Sequence, residues 1–212
     1  MSIKYLITPS LLGSYKWYLS DESIDAREKF LNTLAKIRTE TTPSQAKGLD
    51  FEDKICELDK MFKANWSDSA LNFVFSEETE EYKSCLKNIA EIVKGGLWQQ
   101  TVKKDLTVGN QEFLLYGRTD VIKRDTIYDI KFTSNYEVGK FSDSAQHLIY
   151  LYCLGLPKFQ YLISDGEEYW VEDYHNHAGI EDEIKSKISD LMSYLENDQE
   201  AKEMFFKKWG SK

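Results

Sequence analysis

The chain has 212 residues, 42% hydrophobic and 30% charged, which is enough to bury a real core and too apolar for wholesale disorder. Its net charge of −9 argues against a basic surface that coats nucleic acid or anionic membrane, but not against a nucleic-acid enzyme whose contacts lie in a short cleft. Three cysteines (Cys56, Cys85, Cys153) without CxxC spacing argue against a disulfide framework and cannot supply four thiolates to an iron–sulfur cluster.

The opening MSIKYLITPSLLGSYKWYL has too few consecutive apolar residues for a signal peptide. No segment approaches the ~20 apolar residues needed to span a bilayer. A soluble, cytoplasmic protein with no membrane partner is therefore expected. Thr8 and Pro9 together predict a helix start. Residues 21–40 are polar and helical in propensity, and TTPSQAKG (41–48) reads as a loop. In the next helix Phe51, Ile55, Leu58 and Phe62 recur at helical spacing. A further helix, roughly 77–94, stops at Gly95-Gly96.

From Leu97 the pattern turns to β. WQQTVKKDLTV, EFLLYGRTDVI and TIYDIKFT predict an antiparallel meander. A helix over about 142–155 ends at Gly155 and Pro157. FQYLIS and EEYWVEDY then read as strands around the turn Asp165-Gly166, and the last thirty or so residues as helix. Strands framed by helices give an α+β or mixed α/β domain.

The chemistry concentrates in GRTDVIKRDTIYDIKF (117–132). A turn at Arg124-Asp125 pairs Lys123 with Thr126, Ile122 with Ile127, Val121 with Tyr128 and Asp120 with Asp129. The period-2 alternation puts Asp129 and Lys131 on one face, with Arg118 and Asp120 together. Leu115, Val121, Tyr128, Ile130 and Phe132 make the opposite, core face. Opposed aspartates destabilise a sheet unless a cation compensates, so the pattern is either a solvated charged face or a site. A divalent ion would suit one or two carboxylates, the Ile130 carbonyl, water and substrate oxygens. Elsewhere, Glu52 stands beside the apolar positions Phe51 and Ile55. Gln146 and Tyr150, four apart on a helix, can reach one ligand. His147 and the trio Asp173, His175 and His177 are read as packing and polar-loop residues. The glycine patterns of nucleotide-binding folds are absent.

Taken in order, Gly48-x-x-Phe51-Glu52, Gly117-x-x-Asp120, Asp129-Ile130-Lys131 and Gln146-x-x-x-Tyr150 resemble the PD-(D/E)XK nuclease superfamily, in its RecB-like and lambda-exonuclease-like branch. The resemblance implies a restriction-endonuclease-like core, with a central antiparallel or mixed sheet flanked by helices. It implies one nuclease domain over 1–212: an N-terminal helical segment to 47, a catalytic core over 48–175 and a C-terminal helical segment. Asp120 and Asp129 would ligate Mg²⁺ or Mn²⁺, with Glu52 direct or through water. Lys131 would orient or deprotonate the attacking water, and Gln146 and Tyr150 would position the DNA strand. Glu77, Glu78, Glu80, Glu81 and Glu91 are alternatives to Glu52. Arg118, on the same face, is added as a phosphate contact. The implied activity is a DNA exonuclease at duplex ends in phage or mobile-element recombination, with a single-strand annealing partner and a homo-oligomer by analogy. A non-catalytic DNA-binding module and an acidic mimic of nucleic acid are the rival readings.

Overall fold

The computed structural model describes residues 4–63 and 74–211. The chain runs β1 (Lys4–Ile7), α1 (Pro9–Ser20), α2 (Ala26–Leu34), α3 (Pro43–Lys63), α4 (Glu80–Val93), β2 (Leu97–Trp98), β3 (Thr101–Val108) and β4 (Gln111–Arg118). It continues through β5 (Val121–Lys123), β6 (Thr126–Phe132), α5 (Ala145–Leu154), β7 (Lys158–Ser164), β8 (Tyr169–His175), α6 (Ile180–Asn197), α7 (Gln199–Lys208) and β9 (Gly210–Ser211). The mixed α+β class is as the sequence predicts.

Local signals mostly act where they stand. The Thr8 hydroxyl accepts from the Leu11 N–H, and Pro9 sits in the first turn of α1, where its missing N–H leaves no bond unmade. Ser144 caps α5, and Gly155 ends it in the left-handed region at φ 65°. Gly95 closes the segment after α4 at φ 76°. Along α6, Ile180, Ile184, Ile188, Leu191 and Leu195 form a buried stripe, so its acids occupy the outer face. Three boundaries differ from expectation. All but Thr41 and Thr42 of the loop expected at 41–48 belongs to α3, because the Thr42–Gln45 side-chain and backbone bonds cap it early. Only 26–34 of the polar 21–40 stretch is helical, where Ala26, Phe30 and Leu34 reach the core. The strand β1 carried no signal, being four residues long.

The predicted meander is also corrected. Its strands belong to two sheets, ordered β3-β4-β1-β9 and β2-β5-β6-β7-β8, and both contain a parallel pair, β1–β4 and β6–β7. The 97–108 and 111–123 segments form one antiparallel ribbon that passes from one sheet to the other. Trp98 pairs with Val121 and Thr101 with Arg118, so the register continues across two residues on each strand, Gln99-Gln100 and Thr119-Asp120. The β6–β7 pair is parallel because α5 supplies the crossover that a parallel pair needs.

The two cores follow from the pleat of β6 and β7. Ile127, Phe159, Tyr161 and Ile163 point into a large cluster with α1, α2, α5, α6 and α7. Val121, Ile130 and Leu162 point the other way, into a smaller cluster with Phe51, Ile55 and Leu58 of α3 and Leu86, Ile89 and Val93 of α4. The Phe62 side chain lies outside the described residues. Leu115, expected beside Val121, belongs instead to the large cluster, because its strand has already crossed to the other sheet. Among the described residues, no helix is long and apolar enough to cross a membrane.

Candidate active site

The hairpin forms in the predicted register, with Val121 opposite Tyr128, Ile122 opposite Ile127 and Lys123 opposite Thr126; Arg124 takes φ 55° in the turn. The ladder stops one step before Asp120 would meet Asp129. Asp120 belongs to the bend between the sheets, and its carboxylate Oδ2 accepts from the Ile130 N–H at 2.8 Å. The side chain thus replaces the backbone acceptor that β6 loses where β5 ends. A strand residue's N–H and C=O point to the same edge. The Ile130 carbonyl therefore also faces this open edge.

The face carrying Asp129 and Lys131 is not a solvated one. Odd-numbered residues of β6 point toward α5 and the larger core, and Asp129 keeps only 1% of its side chain exposed. Lys131 Nζ stands 2.5 Å from Asp129 Oδ2, with 30% of the lysine side chain open to the cleft. The Gln146 amide of α5 donates to Asp129 Oδ1. Oδ2 has the lysine as its ion pair, yet no aligned hydrogen-bond donor. Buried carboxylate oxygens are rarely left so, and the arrangement suits a cation.

The electrostatics agree. Burial pushes the Asp120 carboxyl well above the ordinary range, and Asp129 and Glu52 push it further. Burial raises Asp129 too, opposed by Lys131 and Gln146. Glu52, half-buried on α3, is raised by burial and then by Asp129, against a hydrogen bond from Gln99. For Lys131 burial favours the neutral form, but Asp129 and Asp120 more than offset it and the pKa is raised. Three carboxyls thus feel one another across a cleft with one lysine among them. Glu78, Glu80 and Glu91 are committed elsewhere, to Lys54, Lys83 and Lys94.

Two cavities of about 540 Å³ each meet at Lys131. One runs toward the start of α1, past Arg118, Gln146, Tyr150 and Ser10. The other runs toward α3, past Glu52, Ile130, Leu49 and Gln45. Tyr150 lines the first cavity but is 4% exposed, and its hydroxyl donates to the Arg118 carbonyl at 2.8 Å. Its ring lies against Gly117, where a Cβ would come within 2.3 Å of Cε1. The glycine three residues before Asp120 is thus required by packing. The Arg118 guanidinium lines the same cavity and has no ion pair among the described residues.

The other candidates fall away from the cleft. His147 is buried and stacked on Tyr174 at 4.0 Å, and burial lowers its pKa to about 4. Asp173 pairs with Lys158 and His177 with Glu183. Sequence reasoning missed Gln99, whose Nε2 donates to Glu52 Oε1 at 3.4 Å; a lone glutamine in a polar stretch carries no signal. Among the described residues, no three His, Cys, Asp or Glu side chains converge closely enough to hold an ion unaided. Mg²⁺-type binding asks the protein for only one or two carboxylates and completes its shell with water and substrate.

No family model matches the chain, and no curated protein does. Solved structures similar to it include the crystal structure of SSO0001, at 15% identity over 77% of this chain and 85% of that one, with a TM-score of 0.40. Another is the crystal structure of LHK-Exo in complex with dAMP, at 11% identity over 90% of each chain, with a TM-score of 0.46. At such values function has to be argued from the cleft itself.

Proposed function

We propose that the chain is a single-domain, metal-dependent nuclease that hydrolyses phosphodiester bonds in DNA, acting as an exonuclease at duplex ends. What supports the reading is one observation above others: Asp120 and Asp129 lie within electrostatic reach of Glu52 of α3, Gln146 of α5 donates to Asp129, and Lys131 pairs with Asp129 where the two cavities meet. A solvated charged face would need none of these helices to close over it.

Asp120, Asp129 and the Ile130 carbonyl are the residues that would hold Mg²⁺ or Mn²⁺, with Glu52 at the edge of the same site. When bound, such an ion supplies an activated water and stabilises charge on the phosphoryl oxygens. Lys131 is protonated at neutral pH, because the two aspartates hold its pKa up. In that state it is a donor that can orient water and stabilise developing negative charge, and a cation taken up by the two aspartates would weaken their hold on its proton and open the base role. Gln146 fixes the Asp129 carboxylate, Arg118 offers to a phosphate a guanidinium with no ion pair among the described residues, and Tyr150 holds the strand that carries Arg118. The setting in phage or mobile-element recombination, the annealing partner, the homo-oligomer and the cytoplasmic location belong to the same proposal.

Linear, circular and nicked DNA incubated with Mg²⁺, Mn²⁺ or EDTA test it. Loss of linear DNA that EDTA abolishes, and that Asp129→Ala and Lys131→Ala each remove, is the expected result. Undiminished cleavage by the double variant would sink the assignment. Binding without cleavage in any metal would favour the non-catalytic module.

A further inference from the structure

Gln99 occupies the bend where the long ribbon leaves one sheet for the other. Its backbone takes φ 51°, in the left-handed region, where a side chain with a Cβ is strained. The bend is held on both sides. Before it, Trp98 pairs with Val121 and donates its indole N–H to the buried Asp59 at 2.9 Å. After it, Thr101 pairs with Arg118. Gln99 itself donates its N–H to the Asp120 carbonyl at 2.8 Å.

From the bend the side chain reaches Glu52 of α3, donating its Nε2 to Oε1 at 3.4 Å. Among the described residues it is the one hydrogen-bond donor to that carboxylate. One residue thus fixes the backbone of Asp120 and the side chain of Glu52, which come from a strand ribbon and from a helix of another layer. Left alone, the Glu52 carboxylate would turn from Asp129 toward solvent, since the two repel. A glycine would suit the backbone at lower strain and would forfeit only the amide. A lysine would hold Glu52 too, but would compete with a cation for its charge. A neutral amide orients the carboxylate and leaves the charge available.

We infer that Gln99 is a positioning residue of the metal site, holding the Glu52 carboxylate toward Asp120 across the bend between the two sheets. The inference rests on the metal-dependent reading above. Neighbouring groups of this kind change metal affinity by about 10–100-fold when removed.

The test separates metal binding from folding. Gln99→Gly and Gln99→Asn both accept the left-handed backbone, and neither carries an amide that reaches Glu52. Each is melted in EDTA, and each is titrated with Mn²⁺ by calorimetry beside the wild type and Asp129→Ala. The expected outcome is a melting temperature in EDTA at or above that of the wild type, with Mn²⁺ affinity lowered by about tenfold or more. Affinity within twofold of the wild type in both variants would overturn the inference. Melting temperatures well below the wild type would also overturn it, since the role would then be structural. A wild type that binds no Mn²⁺ would instead remove the metal reading, and the inference with it.

Discussion

Substituting Gly117 by Ala tests how tightly the strand before Asp120 is tied to α5. The added Cβ would lie 2.3 Å from Tyr150 Cε1, so the ring must retreat by about 1.1 Å to reach the 3.4 Å at which ordinary contact begins. The ring cannot swing to solvent, because Tyr150 is 4% exposed. Overpacking of this kind costs about 1–3 kcal/mol. The Tyr150 bond to the Arg118 carbonyl is lost as the ring moves, for about 1 kcal/mol more. The lower entropy of the unfolded alanine chain returns up to about 1 kcal/mol. The net loss is about 2 kcal/mol, which lowers the melting temperature of a chain this long by roughly 4–8 °C. Gln146 lies one turn before Tyr150, so a shift of α5 by about an ångström moves it off Asp129; activity falls about 100-fold. Thermal and urea denaturation read the first effect and DNA cleavage the second. Gly117→Ala combined with Tyr150→Ala should cost no more than Tyr150→Ala alone, because the ring that collides is gone. A Gly117→Ala protein that melts within 1 °C (roughly 0.3 kcal/mol) of the wild type would refute the reasoning.

Asp120→Asn should stabilise the metal-free protein at pH 7. The folded-state pKa of Asp120 is raised, so the ionised group weakens the fold above its ordinary range, and that penalty disappears as pH falls and the carboxyl takes a proton. Urea titrations in EDTA should therefore show the advantage of Asn shrinking toward acid; an advantage that grows toward acid would contradict the sign. Lys131→Met leaves Asp129 buried without its cation and should cost about 3 kcal/mol at pH 7. Chemical denaturation checks it, and a loss under about 0.5 kcal/mol would mean that the pair is solvent-screened. Asp59→Asn gives up one of two acceptors, to the Gly95 N–H and the Trp98 indole, and should cost about 1–3 kcal/mol. Faster hydrogen exchange at residues 95–98, without change in α6, is the expected accompaniment.

Much of this molecule is legible in short windows of sequence. The Thr8-Pro9 start, the Gly95-Gly96 and Gly155 stops, the turn at Arg124-Asp125 and the alternation along 126–132 are local. Each acts through a residue's own backbone preference or through neighbours three or four positions away. The grouping of Asp120, Asp129 and Lys131 was legible for the same reason, since the hairpin that joins them spans little more than ten residues.

What the sequence could not carry was the choice of distant partners. Nothing local says that the ribbon divides between two sheets, that β6 pairs in parallel with β7, or that β1 lies beside β4. Those pairings are settled by burying both faces of β6, one under α3 and α4 and the other under α5. Burial then turned an apparent charged face into a cleft. It brought Glu52 and Gln146 to the aspartates from helices about 70 residues before and 20 residues after them. Gln99 is the clearest case. Its backbone strain and its reach to Glu52 exist only because the ribbon must bend where the two sheets part.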